Sequence, residues 1–439
     1  MPNSIIVKNK IKQFNKSITV SGDKSISIRW VLFSSIADGV SKAKNLLLSE
    51  DVIATINAVK KLGINVNFTR NLCKVHGRGL DGYKYKKNII INAKNSGTLG
   101  RLLPGLLINS PNTIKFIGDK SLSKRDFRRI SEPLNKFGAN IKLKKGKYLP
   151  LFIKGSKELK PIEYFEKKGS AQCKSSVIFA GMRTVGTTLI KAKKSRNHTE
   201  LLCKYLNLPI TIKKKKSFDE IKIKKVKKIK KFNYNIPSDI SSAAFFIVLT
   251  SLNSKSKLVI KNVNINPSRI GVITILRKMG VKIHFKNKKI YKGEVNADIK
   301  IEGVKKLNPI NCPISLNSGA IDEFLIIFLV AAKAKGISFF KNLAELNQKE
   351  SPRLKWGSRI LNMMGVKTIL TNNSIKIFGN PDLKINKKII IKNYLKDHRV
   401  FMTSVIAALS FGGEWEIHDR DSIETSFPTF LELINSIKR

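Results

Sequence analysis

Leu62-Gly63-Ile64-Asn65-Val66 closes one element and begins another. An apolar residue followed by glycine suits the left-handed position that ends a helix. The alternation of Ile64, Asn65 and Val66 is the period of a strand with one wet face. The same step returns as Phe137-Gly138-Ala139-Asn140-Ile141, Met279-Gly280-Val281-Lys282-Ile283 and Met364-Gly365-Val366-Lys367. A degenerate copy, Leu206-Asn207-Leu208-Pro209-Ile210, puts asparagine at the left-handed position. A further helix, 430–437, reaches the end of the chain at the matching place.

Each copy is preceded by a more apolar helix that opens on polar residues. These openings are Lys24-Ser25, Asn95-Ser96-Gly97-Thr98, Ser170-Ala171-Gln172, Asp239-Ile240-Ser241-Ser242, Asp322-Glu323 and Asp397-His398-Arg399. They recur at intervals of about seventy to eighty residues, so six repeats account for nearly the whole chain. Each repeat reads as strand, buried helix, strand, amphipathic helix, then one or two strands. The first helix has few polar positions after its opening turn, as in 31–36, 243–250 and 324–332, which predicts burial on most sides. Its partner carries a charged face, as in 51–61 and 268–278. Three repeats per domain would gather three polar helix openings at one end of each domain, facing the other.

The first opening has chemistry of its own. In Ser21-Gly22-Asp23-Lys24-Ser25-Ile26-Ser27-Ile28-Arg29 a small-residue turn leads into a helix. Its unpaired N–H groups, the Lys24 ammonium and the Arg29 guanidinium can face one anion, a phosphate or a carboxylate.

A chain of 439 residues exceeds what one core usually serves, and 42% hydrophobic residues suffice for two. No apolar run approaches the ~18 residues of a membrane span, and no secretory series opens the chain. The expected location is the cytoplasm. Cys73, Cys173, Cys203 and Cys312 lie far apart without paired spacing, which suggests neither a disulfide framework nor a zinc site. The charge, 84 basic against 30 acidic residues for a net +54, invites nucleic acid as a partner. Yet the lysines are spread along the whole chain with isoleucine and asparagine, and aromatics are only 8%, too few for base stacking. The densest run, 213–231, alternates Ile221, Ile223, Val226 and Ile229 with lysine and reads as a hairpin with one wet face. A positive field of this size still draws in small anions.

Taken in order, the openings and the loops between them resemble the 5-enolpyruvylshikimate-3-phosphate synthase family of enolpyruvyl transferases. The resemblance rests on Gly22 to Arg29, Asn95-Ser96-Gly97-Thr98-Leu99-Gly100-Arg101-Leu102, Ser170-Ala171-Gln172-Cys173-Lys174-Ser175, Ser195-Arg196-Asn197-His198-Thr199-Glu200, Asp239 to Phe245, Ile321-Asp322-Glu323, Lys349-Glu350-Ser351-Pro352-Arg353-Leu354, Asp397-His398-Arg399 and Thr425-Ser426-Phe427-Pro428. It implies an α/β fold of two lobes, each with three repeated βαβαββ-type units around buried parallel helices, an inside-out α/β barrel with substrates in the cleft between lobes. By that likeness residues 1–20 with 238–439 form one discontinuous lobe and 21–237 the other. The implied reaction moves the enolpyruvyl group of phosphoenolpyruvate onto the 5-hydroxyl of shikimate 3-phosphate, releasing phosphate, on the route to chorismate. The implied enzyme is a monomer needing no cofactor or metal, a glyphosate target that acts on small anions and binds neither nucleic acid nor membrane.

The resemblance also assigns roles. Lys24, Ser25, Arg29, Ser170, Ala171, Gln172, Arg196, Asp322 and Lys349 would hold shikimate 3-phosphate. Lys24, Gly97, Arg125, Gln172, Arg353 and Arg399 would hold phosphoenolpyruvate. Glycine suits position 97 because a missing Cβ lets N–H groups approach a phosphate. Asp322 would take the proton of the 5-hydroxyl; Glu350 and Lys349, with Lys24 beside them, would manage the proton at the methylene carbon. Two departures stand out: Pro352 replaces a usual acid and Asn347 a common arginine. Ser351-Pro352 is expected to start a helix as cap and first-turn proline, leaving Arg353 inward. The rival readings are the sister transferase acting on a UDP-amino sugar, which has Lys-Asn in place of Lys24-Ser25, and a basic RNA cyclase-like protein.

Overall fold

The computed structural model describes residues 3–69 and 71–439. The chain forms two compact units: unit 1 takes the chain up to Ser21, Pro237–Ile290 and Val295–Arg439, and unit 2 takes Gly22–Ile236 and Tyr291–Glu294.

Unit 2 contains helices α1 (Lys24–Ser35), α2 (Glu50–Lys61), α3 (Gly97–Leu106), α4 (Arg128–Lys136), α5 (Ala171–Gly181) and α6 (His198–Tyr205). The odd-numbered helices are the buried ones. Every residue of α1 from Ile26 to Ser35 is inside, whereas α2 leaves Asn57, Lys60 and Lys61 in solvent. Each helix pair carries one sheet. Ile90–Asn92 runs parallel to Ile114–Ile117, which pairs antiparallel with Tyr148–Lys154 and through it with Asn140–Lys144. Glu163–Glu166, Thr187–Lys193, Phe218–Lys224 and Ile210–Lys214 repeat that order. The order follows from the connections: a helical crossover returns the chain parallel, and a hairpin returns it antiparallel.

Unit 1 contains α7 (Ile240–Leu252), α8 (Gly271–Lys278), the short α9 (Asn317–Ala320), α10 (Phe324–Lys333), α11 (Arg353–Met363), α12 (His398–Phe411) and α13 (Phe430–Lys438). Helix α10 is buried along Phe324 to Ala332, as its uniformly apolar sequence requires. Its sheet has three strands, with the bridge Asn311↔Phe339 where a fourth would lie. The last repeat ends in α13, and the N-terminal strand Ser4–Lys8 supplies the missing antiparallel neighbour of Glu414–His418.

Two repeats exchange their leading strands. Asn15–Ile18 precedes α1 but pairs with Lys257–Asn264, the strand after α7. Asn233–Asn235 precedes α7 but pairs with Asp38–Lys44, the strand after α1. Each of these two sheets thereby keeps a parallel pair although the chain leaves its unit and returns.

The helix-ending steps are left-handed at Gly63, Gly138, Gly280 and Gly365, with φ of 85°, 107°, 89° and 84°, and at Asn207 with φ of 54°. Three local expectations need correction. The basic hairpin is Ile210–Lys214 with Phe218–Lys224; residues 225–231 lie outside it, meeting the strand after α1 at the bridge Asp38↔Lys230 and burying Val226 and Ile229. Asp322 does not open a helix but sits in the turn between α9 and α10. Pro352 lies ahead of the first helical residue, and the Ser351 hydroxyl goes to Asp397 rather than to a cap. All four cysteines are buried thiols. Among the described residues no helix is long and apolar enough to cross a membrane.

Candidate active site

In unit 2 the first turns of the three buried helices are tied together by side chains. Asp23 caps α1 by accepting from the Ile26 N–H at 2.9 Å, and the Lys24 ammonium reaches Asp51 Oδ2 at 2.9 Å. Arg29, one turn further on, is buried. Its Nε donates to Thr199 Oγ1 at 2.7 Å, its Nη2 to Ser175 Oγ at 3.1 Å and its Nη1 to the Ser25 carbonyl at 3.1 Å. The two hydroxyls meet each other at 2.7 Å. Arg29 thus joins α1 to α5 and α6.

A second knot lies between α3 and α5. Arg101 Nη1 donates to Gln172 Oε1 at 2.7 Å, and Gln172 Nε2 donates to Thr98 Oγ1 at 2.9 Å. Arg101 also lies over the Phe127 ring, 5.2 Å from its centroid. Arg125 Nη2 donates to Asn95 Oδ1 at 3.2 Å. A Cβ on Gly97 would stand 2.8 Å from Arg101 Nη1 and 3.2 Å from Arg125 Nη1, so two guanidinium groups crowd over this one bare backbone position. Ser170 caps α5 by accepting from the Cys173 N–H at 3.3 Å. Its own N–H donates to Glu166 at 2.8 Å, a carboxyl that burial raises above its usual value. Ala171 is the first residue of α5, and Arg196 stands half-buried in the loop before α6.

Unit 1 gathers its own helix openings into one ionic network. Asp322 Oδ1 receives Lys349 Nζ at 3.0 Å and Arg353 Nη1 at 3.4 Å. Arg353, fully buried, places Nε 2.9 Å from Asp397 Oδ2 and Nη2 3.2 Å from Asp397 Oδ1, and it also pairs with Glu350. Ser351 adds its hydroxyl to Asp397 Oδ2 at 2.8 Å. Burial opposes ionisation of Asp397, but the adjacent Arg353 charge outweighs it and holds the carboxyl below its ordinary value. For Arg353 burial works the other way, and the carboxylates around it, Asp397 foremost, raise its pKa above the usual arginine value. Arg399 Nη1 donates to the Asp322 carbonyl at 2.5 Å and reaches Glu323 Oε1 at 3.3 Å. Glu323 also accepts from Ser241 Oγ at 2.5 Å, which in turn receives Arg269 Nη2 at 2.7 Å.

The residues anticipated at the site therefore fall into two groups. Asp322, Lys349, Glu350, Arg353 and Arg399 share the network of unit 1. Lys24, Ser25, Arg29, Gly97, Arg125, Ser170, Ala171, Gln172 and Arg196 stand on the helix openings and loops of unit 2. Arg101, one of the cations expected at the site, joins the second group through Gln172. Asp51 and Glu323 also belong to these groups but carried no expected role, although the acid after Asp322 lies inside the Ile321-Asp322-Glu323 motif. Among the described residues no group of His, Cys, Asp or Glu is arranged to hold a metal ion.

Such paired arginine forks, a bare glycine beneath guanidinium groups and a carboxylate next to an ammonium are suited to multiply charged anions and to proton transfer beside them. A family model for EPSP synthase (3-phosphoshikimate 1-carboxyvinyltransferase) matches residues 8–434. The 3-phosphoshikimate 1-carboxyvinyltransferase of Ruthia magnifica subsp. Calyptogena magnifica is 39% identical over 421 residues, covering 96% of this chain and 94% of its own. The EPSP synthase structure from Acinetobacter baumannii is 34% identical with a TM-score of 0.86, covering 98% of this chain and 97% of that one. The enolpyruvyl transferase NikO from Streptomyces tendae shares the fold, with a TM-score of 0.77 at 13% identity over 100% of this chain and 98% of its own. With the family's pattern running through nearly all of its length, the chain belongs to the EPSP synthase (3-phosphoshikimate 1-carboxyvinyltransferase) family.

Proposed function

We propose that this protein transfers the enolpyruvyl group of phosphoenolpyruvate to the 5-hydroxyl of shikimate 3-phosphate. The observation that carries the reading is the Asp322 carboxylate seated between Lys349 and Arg353, with Arg399 on its own carbonyl. A base and three cations stand in one network, which is what attack of a hydroxyl on a doubly charged enol phosphate demands.

The 5-hydroxyl oxygen bonds to C2 of phosphoenolpyruvate while Asp322 takes its proton, and a proton is delivered to the C3 methylene. The tetrahedral adduct then loses phosphate by C–O cleavage and a proton from C3, which restores the double bond. Glu350 and Lys349, with Lys24, serve the two proton transfers at C3. Lys24, Gly97, Arg125, Gln172, Arg353 and Arg399 hold phosphoenolpyruvate. Lys24, Ser25, Arg29, Ser170, Ala171, Gln172, Arg196, Asp322 and Lys349 hold shikimate 3-phosphate.

The protein works as a monomer in the cytoplasm, and its charge serves small anions rather than nucleic acid; the dispersed lysines and sparse aromatics support this. Mixing the protein with both substrates and measuring phosphate tests the reaction. Stoichiometric phosphate and product support it, and no release from folded protein overturns it.

A further inference from the structure

One buried pair in unit 2 has no place in the chemistry above. Glu294 and His198 share a hydrogen bond of 2.6 Å between Oε1 and Nδ1, with side-chain exposures of 3% and 1%. Glu294 follows a two-residue turn, Lys292-Gly293, that joins strands Lys282–Tyr291 and Glu294–Glu302. Both turn residues have positive φ, 52° and 83°, the geometry of a tight hairpin whose twist matches its strands. Such a tip normally stands in water, but this one is fastened down. The Lys292 ammonium lies 4.9, 5.4 and 5.3 Å from the ring centroids of Tyr205, Tyr234 and Tyr291 and donates to the Asn233 carbonyl. The Tyr291 hydroxyl accepts the Asn235 N–H at 3.0 Å, and its ring meets that of Tyr234 edge-on.

What the pair touches gives its role. His198 is the first residue of α6 and Thr199 the second. Thr199 receives Arg29 Nε and bonds to Ser175, which receives the other arm of Arg29. Arg29, His198 and Glu294 also line one cavity of about 10 Å³, with Ile26, Leu202 and Tyr234. A buried carboxylate is costly unless paired, so Glu294 favours one placement of His198 and of the helix turn that His198 begins.

We propose that the hairpin tip Tyr291–Glu294 is a positioning element for the shikimate 3-phosphate side of the site. Glu294, acting through His198, sets the first turn of α6 so that Thr199 and Ser175 aim the Arg29 guanidinium. The caged Lys292 keeps the tip in place. The inference rests on the proposed function, in which Arg29 holds shikimate 3-phosphate.

The test is steady-state kinetics of the full chain, with each substrate varied in turn. Glu294→Ala is expected to raise KM for shikimate 3-phosphate about tenfold, with KM for phosphoenolpyruvate changed less than about twofold. Glu294→Gln, which keeps a hydrogen-bonding partner for the imidazole, should recover most of that loss. An unchanged KM for shikimate 3-phosphate in Glu294→Ala, or equal changes in both KM values, overturns the proposal. Should Glu294→Ala not fold, Lys292→Ala takes its place. A rise of about threefold in the same KM is then expected, and no rise overturns the proposal. Inactive wild-type protein would instead defeat the proposed function, so the two failures are distinct.

Discussion

Arg353 grips Asp397 with two nitrogens, Nε to Oδ2 at 2.9 Å and Nη2 to Oδ1 at 3.2 Å, and this leaves Nη1 directed at Asp322. The fork is planar, so fixing one edge on a buried carboxylate aims the other. Arg353→Lys keeps the charge and loses the aim. Its kcat/KM for phosphoenolpyruvate is expected to fall by about a hundredfold, roughly 2.7 kcal/mol of transition-state stabilisation. A change below about threefold, measured by initial rates, would show that charge alone suffices.

The same pair gives acid unfolding a definite sign. Asp397 has its native pKa held below the ordinary 3.8 by Arg353. The unfolded chain therefore takes up the proton first as pH falls. The stabilisation is present above about pH 4 and is lost as pH drops from there through the depressed native value. Asp397→Asn should lower stability near neutrality by about 3–5 kcal/mol, because Arg353 is left buried and under-compensated. It should also flatten the decline below pH 4. Urea unfolding of both proteins between pH 3 and 7, giving parallel curves, would refute this.

Gly97 makes a steric prediction. An alanine methyl would come 2.8 Å from Arg101 Nη1, closer than carbon and nitrogen tolerate, and 3.2 Å from Arg125 Nη1, a crowded contact. Both contacts are ends of flexible side chains, so the protein should fold while both arginines shift. Gly97→Ala is expected to raise KM for phosphoenolpyruvate several-fold and to weaken glyphosate inhibition more, about tenfold or beyond. Inhibition curves that superimpose on wild type would contradict the placement of both ligands here.

Asp322→Ala removes the proposed base, and Lys24→Ala removes the cation that Asp51 now holds at 2.9 Å. Each is expected to lower turnover at least about a hundredfold, with an unchanged far-ultraviolet spectrum. Near-normal turnover in either variant would take that residue out of the catalytic set.

Much of this architecture could be read along the chain because it repeats. The Gly63, Gly138, Gly280 and Gly365 steps need only local backbone chemistry, and a left-handed glycine ends a helix whatever surrounds it. The polar starts at Lys24, Ser170, Asp239 and Asp397 were visible for the same reason. What escaped was partnership. Ser351 looked like a cap and instead donates to Asp397; Arg29 was expected to face an anion, but nothing local announced the Thr199 and Ser175 hydroxyls it meets. Glu294, in an unremarked Lys-Gly hairpin, gave no local sign that it would meet His198.

The order of elements, the sixfold repeat, the apolar helices and the polar, often charged character of their openings were determined by the sequence alone, because each follows from spacing over a few residues. Only the tertiary structure decided which carboxylate holds which cation: Asp397 with Arg353, Asp322 with Lys349, Glu323 with Arg399. Those choices join residues tens of positions apart, and they are made by which helix starts the folded chain brings within hydrogen-bonding distance.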